Sequence, residues 1–124
     1  MTLEAVDPRE ALVLVDRGAV VLDVRAPEEF ADGHPACATN VPLASFVEGR
    51  LVDTERFVER ARALCPSTSP TLVLCRSGAR AERAARLLSA GGVADVRVVL
   101  GGYEGTRGPF GEVVHPGWRR LGLP

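Results

Sequence analysis

Residues 71–88 constrain this chain more than any other segment. Thr71, Leu72, Val73 and Leu74 form a continuous apolar run that ends at Cys75. Apolar residues then recur at Ala81, Ala84, Ala85 and Leu88, the i, i+3, i+4, i+7 stripe of a half-buried helix. The segment reads as strand, cysteine loop, helix, and Cys75 stands at the handover.

That position has a chemical consequence. The first turn of a helix has free backbone N–H groups and the positive end of the dipole, so an anion in the loop is stabilised. A thiolate is such an anion. Gly78 can adopt positive φ, which lets successive N–H groups curl around a sulfur, while Arg76 and Arg80 add positive charge. Most free cysteines are small buried apolar residues. A Gly-containing, doubly basic turn at a helix N-terminus favours a reactive thiol instead.

The rest of the chain alternates strand and helix. Asp7 caps a first helix, with Pro8 at its first position, Glu10 completing a capping box and Gly18 closing it. A strand over 20–23, a short helix over 27–31, a strand over 39–41 and a helix over 54–64 follow. After the strand at 71–74 come a helix over 80–90, ended by Gly91 and Gly92, and a strand over 96–100. Such alternation predicts an α/β fold with a mostly parallel central sheet and helices on both faces. Ligands of such sheets bind at the carboxyl ends of the strands. Arg25, the Cys75 loop and the segment 101–117 should therefore share one edge. Residues 104–117, rich in Gly and Pro, read as a loop bordering that edge, where Arg107, Glu112 and His115 shape a donor or acceptor pocket; a solvated surface loop is the alternative.

The 124 residues suit one domain over 1–124. A formal net charge of −1 gives no electrostatic pull toward nucleic acid or a membrane surface. The first seven residues lack the basic head and apolar middle of a signal peptide, and no apolar run has the length of a membrane span, so a cytoplasmic location is expected. The three cysteines, Cys37, Cys65 and Cys75, are odd in number and contain no CxxC, which predicts neither a disulfide framework nor a metal site. No cofactor is implied. Cys65 reads as structural; Cys37 reads as a packing residue, with a resolving thiol as the alternative.

Several landmarks together resemble the single-domain rhodanese-like sulfurtransferases. Leu22, Asp23, Val24, Arg25, Ala26, Pro27, Glu28, Glu29 and Phe30, followed by Gly33 and His34, look like that family's first signature. Asn40, Val41, Pro42 and Leu43 continue it, then come the Cys75 loop, Leu100, Gly101, Gly102 and Tyr103, and a closing Trp118. Two features depart from the pattern: Pro35, Ala36 and Cys37 replace the usual Ile-Pro-Gly, and an insertion displaces the Trp. The resemblance implies a rhodanese-like domain in which Cys75 carries sulfur as a persulfide from thiosulfate or a persulfide donor to a thiophilic acceptor, cyanide in vitro. It makes Arg76, Ser77, Gly78, Ala79 and Arg80 the substrate-binding loop, with both arginines on the anionic donor, and gives Asp23, Arg25 and His34 structural roles. The implied partners are a small anionic sulfur donor and a sulfur-accepting protein. A persulfide carrier and a non-catalytic binding module are alternatives. A phosphatase or arsenate reductase is a third, although the four residues between Cys75 and Arg80 make a tighter loop than those enzymes use.

Overall fold

The computed structural model describes residues 3–124. Met1 and Thr2, part of the N-terminal stretch read above, lie outside the described residues. Five strands form the central sheet: β1 (Glu4–Val6), β2 (Val20–Asp23), β3 (Ala38–Asn40), β6 (Thr71–Leu74) and β7 (Val96–Val99). Their order is β1-β7-β6-β2-β3, and every neighbouring pair is parallel. Two antiparallel hairpins lie outside it, β4 (Ala44–Val47) with β5 (Arg50–Asp53), and β8 (Gly105–Arg107) with β9 (Val113–Pro116).

Helices cover both faces of the sheet, as parallel strands require. On one face α3 (Phe57–Arg62) and α4 (Ala79–Ala90) bury Phe57, Ala61, Ala81, Ala84, Ala85 and Leu88 against Leu22, Val24, Val73, Cys75 and Val98. On the other, α1 (Pro8–Asp16) buries Ala11 near Val6, Val21, Leu72, Leu74 and Val99, joined by Tyr103 and Trp118. The two sets follow the alternation of strand side chains, so Leu22 and Val73 point one way and Val21 and Leu72 the other. Among the described residues, no helix is long and apolar enough to cross a membrane.

Local signals set most boundaries. The Asp7 carboxylate accepts a 2.8 Å bond from the Glu10 amide and starts α1 at Pro8. The helix expected over 54–64 is shorter, because Arg56 has φ 60° and no helix passes through that conformation. Residues 104–117 do not form a loop throughout. They fold into the β8–β9 hairpin, whose turn is closed by Gly108 and Gly111 and whose second strand is formed by the β-branched Val113 and Val114. Both strands are short, and Gly108, Pro109 and Gly111 between them give the segment the composition of a loop. β1, of three residues, escapes sequence reading for the same reason of length, and the β4–β5 hairpin escapes it because its strands are largely exposed and lack the buried apolar run of β2 and β6.

Candidate active site

The register of the sheet brings the signature residues together. β2 pairs with β6 from Val20 opposite Thr71 to Asp23 opposite Leu74, and the Val24 amide extends the ladder to the Leu74 carbonyl at 2.8 Å. Arg25 therefore leaves β2 beside Cys75, which leaves β6. The turn then rises into α4 through Gly78, whose φ of 137° suits glycine. In this conformation the Gly78 amide donates to Cys75 Sγ at 3.0 Å. Cys75 is 1% exposed and packs in the α3–α4 core.

A second segment holds the loop from behind. The Tyr103 amide donates to the Cys75 carbonyl at 2.8 Å, and the Glu104 amide to the Arg76 carbonyl at 2.9 Å. Gly102 lies so close that a Cβ there would collide with the Cys75 carbonyl oxygen. The inserted hairpin adds a third tie, because Thr106 Oγ1 donates to the Ser77 carbonyl at 2.8 Å. The insertion thus borders the Cys75 loop, and the contact runs through Thr106.

The charged residues of the signature divide into two layers. Arg25 is 3% exposed and Asp23 fully buried; Arg25 Nη2 reaches Asp23 Oδ2 at 2.7 Å and the Gly33 carbonyl at 2.7 Å. The Arg25 guanidinium also lies 4.4 Å from the centre of the Tyr103 ring. Asn40 Nδ2 bridges the Asp23 and Arg25 carbonyls, each at 3.0 Å. Arg80 grips the Glu29 carboxylate with both terminal nitrogens, at 2.6 and 2.9 Å. Those bonds hold the Glu29 carboxyl below its ordinary value and push the Arg80 guanidinium up, with Cys75 a smaller influence on Arg80 in the same direction. Arg76, Ser77 and Ala79 are exposed on the loop. Arg76 shares a mouth of about 210 Å³ with Arg25, Glu29, Asp32 and Glu104.

His34 is exposed at the far end of α2 (Pro27–Ala31), stacked on the Phe30 ring at 3.5 Å, with Nδ1 hydrogen-bonded to the Phe30 carbonyl at 2.7 Å. Cys37 packs against the α1-side core, whereas Cys75 belongs to the core on the opposite face of the sheet. Burial pushes the Cys37 thiol up. Cys65 donates from Sγ to the Ala61 carbonyl at 3.2 Å.

Glu29, Gly102 and Thr106 support the loop while Asn40 ties Asp23 to Arg25, and sequence reasoning gave none of them these roles. Only Glu29 had a usable signal, since it occupies the third position of a helix that starts with proline and accepts from the Ala26 amide.

Comparison with known proteins places this arrangement. The model of the rhodanese-like domain matches residues 7–108. Thiosulfate sulfurtransferase 18 of Arabidopsis thaliana is 38% identical over 102 residues, which covers 80% of this chain and 74% of that protein. Thiosulfate sulfurtransferase GlpE of Pseudomonas entomophila (strain L48) is 33% identical over 102 residues, 80% of each chain. The crystal structure of Rv0390 from M. tuberculosis superposes with a TM-score of 0.81 at 28% identity, over 100% of this chain and 97% of that one. The family match stops inside the inserted hairpin, while this last superposition includes it. The chain belongs to the rhodanese-like domain family and is a rhodanese-type enzyme.

Proposed function

We propose that the protein moves sulfane sulfur from thiosulfate, or a similar anionic donor, to a thiophilic acceptor through a persulfide on Cys75. The observation that carries this reading is the 3.0 Å bond from the Gly78 amide to Cys75 Sγ at the start of α4. An N–H aimed at sulfur in a helix N-terminal turn stabilises a thiolate, and a persulfide anion needs the same donors. The names of the two curated relatives described above point to the same donor.

The reaction balances without a redox partner. The Cys75 thiolate attacks the outer sulfur of thiosulfate, the sulfur–sulfur bond breaks, and sulfite leaves with the electron pair. An acceptor such as cyanide then attacks the outer sulfur of the persulfide, and the pair returns to Cys75 as thiolate. No step requires a general base once the thiolate is present, in keeping with the position of His34 against Phe30. Arg76, exposed at the mouth, is the guanidinium available to the donor oxygens; Arg80 is committed to Glu29 and fixes the loop. The same commitment argues against a phosphatase, which needs that arginine on the oxyanion.

Intact mass after incubation with thiosulfate tests the proposal. The expected gain is one sulfur atom, about 32 mass units, removed by cyanide and abolished in Cys75→Ser. A gain that survives Cys75→Ser, or none with any sulfane donor, refutes it.

A further inference from the structure

Beyond the inserted hairpin the chain returns to the segment that holds the Cys75 loop. Gly117 lies so close to that segment that a Cβ there would collide with the Tyr103 carbonyl oxygen. The Trp118 amide then donates to the Gly102 carbonyl at 2.9 Å and the Arg119 amide to the Tyr103 carbonyl at 3.0 Å, with the Trp118 ring fully buried. The backbone at Arg119 is thereby fixed. From there Arg119 Nη1 reaches Glu104 Oε1 at 2.8 Å, and the guanidinium stands 5.5 Å from the centre of the Tyr103 ring.

Glu104 is a neighbour of the cation assigned to the donor. Its amide donates to the Arg76 carbonyl, and Glu104 and Arg76 line the same hollow of about 210 Å³. All five residues that line this hollow are charged, three of them carboxylates. Three are paired: Arg25 with Asp23, Glu29 with Arg80 and Glu104 with Arg119. The other two, Arg76 and Asp32, make no ion pair among the described residues. With those partners counted, guanidinium groups and carboxylates are equal in number, so the hollow accepts an anion only while its carboxylates stay covered. Without Arg119 the balance turns negative. The Glu104 carboxylate is then free to pair with Arg76, and an anionic donor must displace it.

We propose that Arg119 is a positioning residue for the donor, holding the Glu104 carboxylate so that Arg76 stays open to the oxygens of an anionic sulfur compound. It acts through Glu104 and not on the substrate. The inference rests on the reading that Arg76 meets the donor. The Arg119 and Glu104 side chains are 51% and 37% exposed, and a pair so exposed contributes little to folding, so variants of either keep their fold.

Steady-state kinetics with thiosulfate and cyanide, at constant ionic strength, test this in wild type, Arg119→Gln, Arg119→Gln combined with Glu104→Gln, and Arg76→Gln. Arg119→Gln is expected to raise KM for thiosulfate about three- to fivefold, the effect of one exposed ion pair, with kcat unchanged. The difference should shrink as salt is added. Adding Glu104→Gln should bring KM back toward the wild-type value, because no carboxylate is left at that position to capture Arg76. A merely structural role for Arg119 would not be rescued in this way. An unchanged KM in Arg119→Gln, or a KM that stays equally raised in the double variant, overturns the proposal, and a raised KM in Arg76→Gln then shows that the donor reading stands. A wild-type KM in Arg76→Gln overturns both, as does wild-type protein that turns over no thiosulfate.

Discussion

Replacing Gly102 by alanine tests whether the backbone behind Cys75 sets the cysteine loop. Gly102 has φ 59°, a conformation in which a side chain costs about 1 kcal/mol or slightly more. Its added methyl would also collide with the Cys75 carbonyl oxygen and stand 2.7 Å from that of Arg76. Both obstacles are backbone atoms, so no rotamer change relieves them. Segment and loop must part, and the bonds from the Tyr103 and Glu104 amides must lengthen. Overpacking of this kind costs about 1–3 kcal/mol, which with the φ term gives about 2–4 kcal/mol. Gly122 supplies the control, since its φ is 68° and an added Cβ there meets nothing within 4 Å. Gly122→Ala should cost the φ term alone, about 1 kcal/mol. Urea unfolding of both variants isolates the collision as the difference, about 1–3 kcal/mol. Sulfur loading from thiosulfate, followed by intact mass under conditions where both remain folded, should slow about tenfold or more in Gly102→Ala only. Equal stability losses, or normal loading in Gly102→Ala, would refute the idea that this segment fixes the geometry around Cys75.

Three further outcomes are expected. Glu29→Gln should destabilise the protein by about 1 kcal/mol at pH 7. Because Arg80 holds the Glu29 carboxyl below its ordinary value near 4.5, the contribution is complete above that value and lost as the pH falls through the lowered one. Urea midpoints of wild type and variant should therefore differ at pH 7 and converge as the solution is acidified through that lowered value. Thr106→Val should lower stability by no more than about 1 kcal/mol, the worth of one exposed hydrogen bond, yet reduce kcat/KM, with recovery in Thr106→Ser; steady-state assays on the three proteins check this. Cys37→Ser should load sulfur at the wild-type rate by intact mass, since its thiol packs on the opposite face of the sheet from Cys75 and burial pushes it up.

What the sequence disclosed follows the range over which each signal acts. The β6–α4 unit was legible because its apolar run and helical stripe are local, and the observed bounds, Thr71–Leu74 and Ala79–Ala90, lie within one residue of those read from pattern. The edge shared by Arg25, Cys75 and Gly101 was legible because parallel topology places the carboxyl ends of strands together. Three features were not. Arg80 looked like a second donor-binding cation because charge alone does not show a partner, and its partner Glu29 lies 51 residues away. The hairpin over 105–116 looked like a loop because its strands are short and Gly108, Pro109 and Gly111 lie between them. The support from Gly102 and Thr106 involves carbonyl groups of the Cys75 loop, and backbone acceptors leave no trace in the residues that carry them.

That last point bears on how the site divides its labour. Cys75, Arg76 and Ser77 are held by their carbonyl oxygens, which accept from Tyr103, Glu104 and Thr106. Any residue has such a carbonyl, so these three bonds do not depend on the side chains at positions 76 and 77, both of which are exposed. The side chains there are free to meet a donor, whereas Gly78 and Gly102 are fixed by φ and by collision. Substitutions at Arg76 should therefore change the donor KM with little loss of stability, and substitutions at Gly102 should do the reverse first. The loop keeps its shape through the backbone, and the donor contact proposed for Arg76 falls at a position whose side chain these bonds do not use.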